Sequence, residues 1–148
     1  MRRALAILLI SGLTSCEILG PDEGRLEVQT DRREYALNSV ASVTIRNGTF
    51  KELRIHSEGC FWSLEEQTST GWQVVDGPVC IALLKPRAPR TLKVGEEISF
   101  ELRVKPAVSV PTGTGHYRYR FSVTEARGTP MDAASNSFVI SEDIRNAG

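Results

Sequence analysis

His56 and His116 are the two histidines of this 148-residue chain, so a serine–histidine or cysteine–histidine nucleophile would have to be built on one of them. That chemistry needs a hydroxyl or thiol beside a positioned imidazole, with a carboxylate to orient the ring. No Gly-x-Ser-x-Gly or comparable elbow accompanies either histidine, and the alternation of apolar and polar residues places both on solvent-facing positions. The chain therefore reads as non-enzymatic. Metal binding is the other chemistry open to the pair. If the strands carrying them ran antiparallel side by side, His56 and His116 would approach each other, with Glu52 or Glu58 completing a weak site. Two ordinary surface histidines are the plainer reading, and no metal or other cofactor is expected.

A second cluster is cationic. His116, Arg118 and Arg120 are spaced by two, which puts them on one face of a strand. Guanidinium forks on such a face can take a ligand's carboxylate or phosphate. The competing use is cross-strand pairing with Glu52 and its neighbours. A third cluster is Lys85-Pro86-Arg87-Ala88-Pro89-Arg90, too rich in proline to be regular strand. Its Lys85, Arg87 and Arg90 are candidate binding residues on a presented loop, or else a solvated connection. Phe61, Trp62 and Trp72 gather in sequence near Cys60 and read as core cover sooner than as a sugar platform. Asn47-Gly48-Thr49 has the spacing of a glycosylation acceptor and reads as a turn.

The elements that must position these residues are strands. Period-two alternation dominates the body of the chain, most clearly in Ile98, Phe100, Leu102 and Val104 against Glu97, Ser99, Glu101, Arg103 and Lys105. Tyr117, Tyr119, Phe121 and Val123 alternate in the same way with His116, Arg118, Arg120 and Ser122. Strands are expected near residues 24–31, 40–47, 51–57, 62–67 with 72–75, 97–105, 116–124 and 136–141. Turn signals separate them at Asn47-Gly48, Asp76-Gly77-Pro78, Val94-Gly95-Glu96, Pro111-Thr112-Gly113 and Arg127-Gly128-Thr129-Pro130. No stretch is left for a helix longer than a turn. The class is all-β, an antiparallel sandwich of about seven strands in two sheets.

The amino terminus has a different composition. Arg2 and Arg3 precede an apolar run from Ala4 to Leu13, about ten residues where a membrane span needs roughly 20. It reads as an export signal. Its end, Leu13-Thr14-Ser15-Cys16, resembles the bacterial lipobox. That resemblance implies cleavage before Cys16 and a diacylglycerol on its sulfur. One acyl chain holds a protein marginally, and two or three hold it firmly, at about 0.8 kcal/mol per buried methylene. An ordinary secretory signal with a chance cysteine is the plainer alternative, and the pattern around twin-arginine signals is absent from Arg2-Arg3. Removing residues 1–15 from the 148 leaves 133, enough for one domain. It also removes two of 18 basic residues against 18 acidic ones, leaving a slightly negative chain with no expectation of nucleic-acid binding.

With Cys16 assigned to lipid, Cys60 and Cys80 remain as a pair in an oxidising compartment, where a disulfide is expected. It would close a loop of about 21 residues, worth roughly 3 kcal/mol by loop-closure entropy. Metal ligation by the two is disfavoured by the absence of a CxxC spacing. Residues 16–24 form the lipidated cysteine and a short tether. The eight residues from Glu17 to Gly24 reach under about 30 Å when fully stretched. Glu17 is not the aspartate associated with inner-membrane retention, so the expected location is the cell envelope, at the outer membrane of a Gram-negative source.

From residue 25 to 141 the chain resembles bacterial immunoglobulin-like domains of small secreted and lipid-anchored proteins. The resemblance is carried by Tyr35 ahead of a strand ending Ile45-Arg46-Asn47, by Cys60 followed by Gly71-Trp72 and Cys80, and by Leu92 to Glu96 leading into the strand at Glu97. It continues through Gly115-His116-Tyr117-Arg118 and Ser135-Asn136-Ser137-Phe138-Val139. Tyr117 matches the position of the tyrosine corner of such sandwiches. Asn47-Gly48 alone would signal a tight hairpin. In this fold, however, the second and third strands belong to different sheets, so a crossing is expected there. Cys60 and Cys80 depart from the inter-sheet core pair of antibody domains. The resemblance implies a non-catalytic binding or accessory module whose partner is another envelope protein. The alternative is a proteinase inhibitor presenting the Cys60 to Cys80 region and the basic loop after it. Residues 142–148 read as a polar tail.

Overall fold

Alternation is what organises the backbone. Tyr117, Tyr119, Phe121 and Val123 are buried from one side of a ten-residue strand while His116, Arg120 and Ser122 stay exposed on the other. The computed structural model describes residues 24–56, 61–78, 88–105 and 115–141, and within them the chain is all-β. The strands are β1 (Leu26–Thr30), β2 (Glu34–Ala36), β3 (Val40–Asn47), β4 (Leu53–Ile55), β5 (Trp62–Thr68), β6 (Gly71–Asp76), β7 (Arg90–Leu92), β8 (Glu97–Arg103), β9 (His116–Glu125), β10 (Pro130–Ala134) and β11 (Phe138–Ser141).

Two sheets result. One has the order β1-β3-β8, antiparallel throughout, with Val28 opposite Ile45 and Val43 opposite Phe100. The other has the order β2-β11-β9-β4-β7, with β5 and β10 also on β9 and β6 on β5. In this second sheet β9 is the hub. β5 and β4 follow one another along one side of it, and β11 and β10 along the other. β2 joins β11 in parallel, Ile140 lying opposite Tyr35.

Aromatic rings fill the space between the sheets. Phe100 of β8 lies 6.0 Å from Phe121 of β9, and Phe61 stands 5.1 Å from the former and 5.9 Å from the latter. A second cluster sets Phe138 5.0 Å from Tyr35 and 5.5 Å from Tyr119. Such pairs contribute about 0.5–1.5 kcal/mol each beyond the area they bury. The sheets are also joined at one edge. Asn136 accepts from Thr30 N at 2.8 Å and donates to Thr30 Oγ1 at 2.7 Å.

The chain leaves β3 at Asn47 and enters β4 in the opposite sheet, so Asn47-Gly48 is a crossing and not a hairpin. The wholly buried Asn47 side chain makes the corner. Its Nδ2 donates to Lys51 O at 2.8 Å and Leu92 O at 3.0 Å, and its Oδ1 accepts from Thr49 N and Thr49 Oγ1. Three short strands, β2, β7 and β10, lie outside the expected ranges. β10 starts at Pro130, which the sequence placed in a turn. Proline is tolerated as the first residue of a strand, where its missing N–H costs little. Arg90 likewise opens β7, opposite Ile55, and is not part of an irregular loop.

Candidate functional site

The outer face of β5, β6, β9 and β10 carries a connected set of three ion pairs. On β9, Arg118 and Arg120 project from it, and register sets Arg118 opposite Glu65 of β5 and Ser122 opposite Asp132 of β10. The register shift between β5 and β6 leaves its extra residue, Val75, in β6, while β5 keeps its alternation against β9, with Leu64 opposite Tyr119 and Glu65 opposite Arg118. Leu64 enters the core. Glu65, only 3% exposed, is covered on the other face by the arginines.

The contacts are close. Arg118 Nε donates to Glu65 Oε2 at 2.8 Å, and its guanidinium lies 4.1 Å from the centre of the Trp72 ring. Arg120 stands 3.5 Å from Glu65 Oε1 and donates through Nη2 to Asp132 Oδ2 at 2.6 Å. Asp132 also accepts the Ser122 hydroxyl proton. Those hydrogen bonds, from Ser122 and then Arg120, hold its carboxyl below the usual carboxylate value despite some desolvation. Beside the network runs an open groove of about 400 Å³, bordered by Trp62, Glu65, Val74, Arg120 and Asp132. Val74, 66% exposed, is its apolar rim.

Of the expected sites, the structure brings Arg118 and Arg120 together but spends both on carboxylates. Their partners are Glu65 and Asp132; Glu52, the partner expected from sequence, is an exposed loop residue elsewhere. His116 lies exposed at the first residue of β9, opposite Val139. The idea that the two histidines meet is overturned by register. β4 does run antiparallel to β9, but Arg54 pairs with Thr124, and His56 Nε2 sits 3.3 Å from Thr124 Oγ1. At about 3.3 Å per residue, the opposite end of β9 is roughly 25 Å away. Among the described residues, no group of three or more histidine, cysteine or acidic side chains is placed to hold a metal ion.

Tyr117 folds back over Gly115. A Cβ built there would lie 2.9 Å from the tyrosine hydroxyl, so a side chain at 115 would force a shift. The hydroxyl donates to Glu66 Oε1 at 3.3 Å, where the expected corner has an upstream backbone acceptor. Burial, with the Glu66 charge and hydrogen bond added, pushes Tyr117 up to about 12. Glu65, Asp132 and Val74 were not singled out in the sequence. The readable signal was the adjacent pair Glu65-Glu66, which breaks a period-two pattern. Cys16, Cys60, Cys80, Glu58, Lys85 and Arg87 lie outside the described residues, as do the signal segment, most of the tether and the tail.

No protein-family model matches the sequence, and no curated protein matches it. Among solved structures the chain is similar to Spo0M, a sporulation control protein from Bacillus subtilis, at 11% identity and a TM-score of 0.44. The alignment covers 79% of this chain and 49% of that one, so this chain spans about half the length of that structure.

Proposed function

We propose that this chain is a non-catalytic binding module of the bacterial cell envelope, held to the membrane by lipid on Cys16 and built as an immunoglobulin-like sandwich. The sheet orders support the fold reading. β1-β3-β8 facing β11-β9-β4 and β5 corresponds to strands A-B-E facing G-F-C, with the first strand divided between the sheets as β1 and β2.

The observation that carries the binding reading is the outer face beside β6. Its charged groups are committed to one another and the adjoining groove is open. β6 pairs only with β5 among the described residues and displays Val74. A strand edge with no second neighbour among the described residues, beside an apolar rim, suits a polypeptide partner better than a small substrate. Cys60 and Cys80 flank the same hairpin in sequence, and the reading includes a disulfide between them. Leu64 lies opposite Asp76, and Gly77 packs against the backbone of Trp62 and Ser63.

Crosslinking in the native cell, read by mass spectrometry, tests the proposal. A crosslinker placed on β6 should capture one envelope protein, and Val74→Asp should abolish the capture. Capture that is equal from β6 and from the far sheet, or unaffected by Val74→Asp, would remove the support for this face.

A further inference from the structure

Phe50 is 77% exposed, more than any other large apolar side chain among the described residues, and it stands at the pole of the sandwich where the tether arrives. Gly24 N donates to Gly48 O at 2.8 Å, and a Cβ at Gly24 would touch the Phe50 ring at 3.5 Å. The turn between β7 and β8 lies on the same pole and carries Val94, 54% exposed. Gly95 N donates to Asn47 O at 2.7 Å and Asn47 N to Glu96 O at 2.9 Å, which ties this turn to the β3–β4 crossing.

The exposure is not that of a loose loop. Asn47 fastens the segment carrying Phe50 to Lys51 and Leu92, and Lys51 Nζ reaches Glu125 at 2.9 Å. A phenylalanine held rigidly in water forfeits the burial that side chain would otherwise gain, which marks such a position as a contact site. The neighbouring segments carry charges of both signs, Arg25, Lys51, Lys93 and Arg127 with Glu52, Glu96 and Glu125.

We propose that this pole rests on the bilayer that holds Cys16, with Phe50 and Val94 seated at the level of the lipid headgroups. The inference depends on the lipid anchor proposed above. With the anchor, the eight-residue tether reaches under about 30 Å and enters the domain at Gly24, so this pole is the first part of the sandwich to meet the membrane. Aromatic and aliphatic side chains with mixed charge around them are suited to that interface. The consequence is an oriented domain: the opposite pole points away from the membrane and the β5–β6 hairpin stands along the side, open to a neighbour.

The test uses the full lipidated chain in phosphatidylethanolamine and phosphatidylglycerol vesicles whose acyl chains carry bromine, a quencher of indole fluorescence. Phe50→Trp and, independently, Val94→Trp are compared with Val74→Trp after subtracting the parent signal. The expected result is loss of most of the added emission from the first two and retention of the third. A chain that floats with the vesicles but keeps its added emission at all three positions overturns the proposal and leaves the anchor standing. Flotation that fails, or that persists in Cys16→Ser, overturns the anchor reading and this inference with it. Added emission that follows the protein-to-lipid ratio and ignores bromine assigns the pole to a second copy, against the proposal.

Discussion

Arg118 of β9 and Glu65 of β5 face each other across the ladder, Nε to Oε2 at 2.8 Å, with the carboxylate almost wholly buried and the arginine still partly open to water. This asymmetry decides what the basic row does. A nearly buried carboxylate must be neutralised by neighbours, so Arg118 and Arg120 serve Glu65 before they serve any ligand.

Replacing Glu65 with Gln should cost about 1–3 kcal/mol, because the two arginines can turn to solvent. Replacing both arginines, as Arg118→Met with Arg120→Met, which keeps the cover and removes the charge, should cost more, since Glu65 is then buried without a cation. Urea unfolding of the two variants checks the order. Equal losses, or a larger loss in Glu65→Gln, would mean that the carboxylate is not the group being satisfied.

Asn47→Ala should cost about 2–4 kcal/mol, because it leaves the Lys51 and Leu92 carbonyls and the Thr49 N–H without their side-chain partner inside a buried corner. Asn47→Asp should be at least as damaging, since a carboxylate would present oxygen to two carbonyl oxygens. Thermal melts of both variants measure this, and a melting temperature unchanged in Asn47→Ala would contradict the assignment of the corner to that side chain.

The strands with regular alternation were legible because one face of each meets the core, and burial enforces the pattern: β3, β8 and β9 fall where the residues put them. β2, β7 and β10 were not legible. Two are three-residue strands that span little more than one alternation, and β10 opens on a proline. The crossing at Asn47-Gly48 was anticipated from the resemblance. The residues that make it, above all the Asn47 amide reaching Leu92, depend on a contact between distant parts of the chain. Of the candidate site, the arginine row was visible and its partners were not. Strand register selects Glu65 over Glu52, because β5 and not β4 runs beside Arg118 on β9.

Acid and alkali should each remove a specific contribution. Asp132 is held below its ordinary 3.8, so its contribution is present above that value and is lost as the pH falls through the lower folded value. Tyr117 is raised from 10.0 to about 12, so its contribution is present below 10.0 and is lost as the pH rises toward 12. Stability measured by urea across both ranges should fall at each end. Asp132→Asn should flatten the acid limb and Tyr117→Phe the alkaline one. Unchanged limbs would place the titration elsewhere.

Reduction of the proposed Cys60–Cys80 bridge should lower stability by roughly 3 kcal/mol, the loop-closure value for about 21 residues. Cys60→Ser and Cys80→Ser should each reproduce the loss and make the protein insensitive to reductant. If the parent chain, unfolded without reductant, labels two free thiols at Cys60 and Cys80, there is no bridge.

The proposed membrane attachment governs the fate of Cys16, the pairing of the other two cysteines and the orientation of the sandwich. The intact mass of the mature chain, purified from envelope membranes of cells expressing the full sequence, tests it most directly. The expected mature chain begins at Cys16 and carries acyl groups on that residue. A mature chain that begins elsewhere, or begins at Cys16 without lipid, would contradict it.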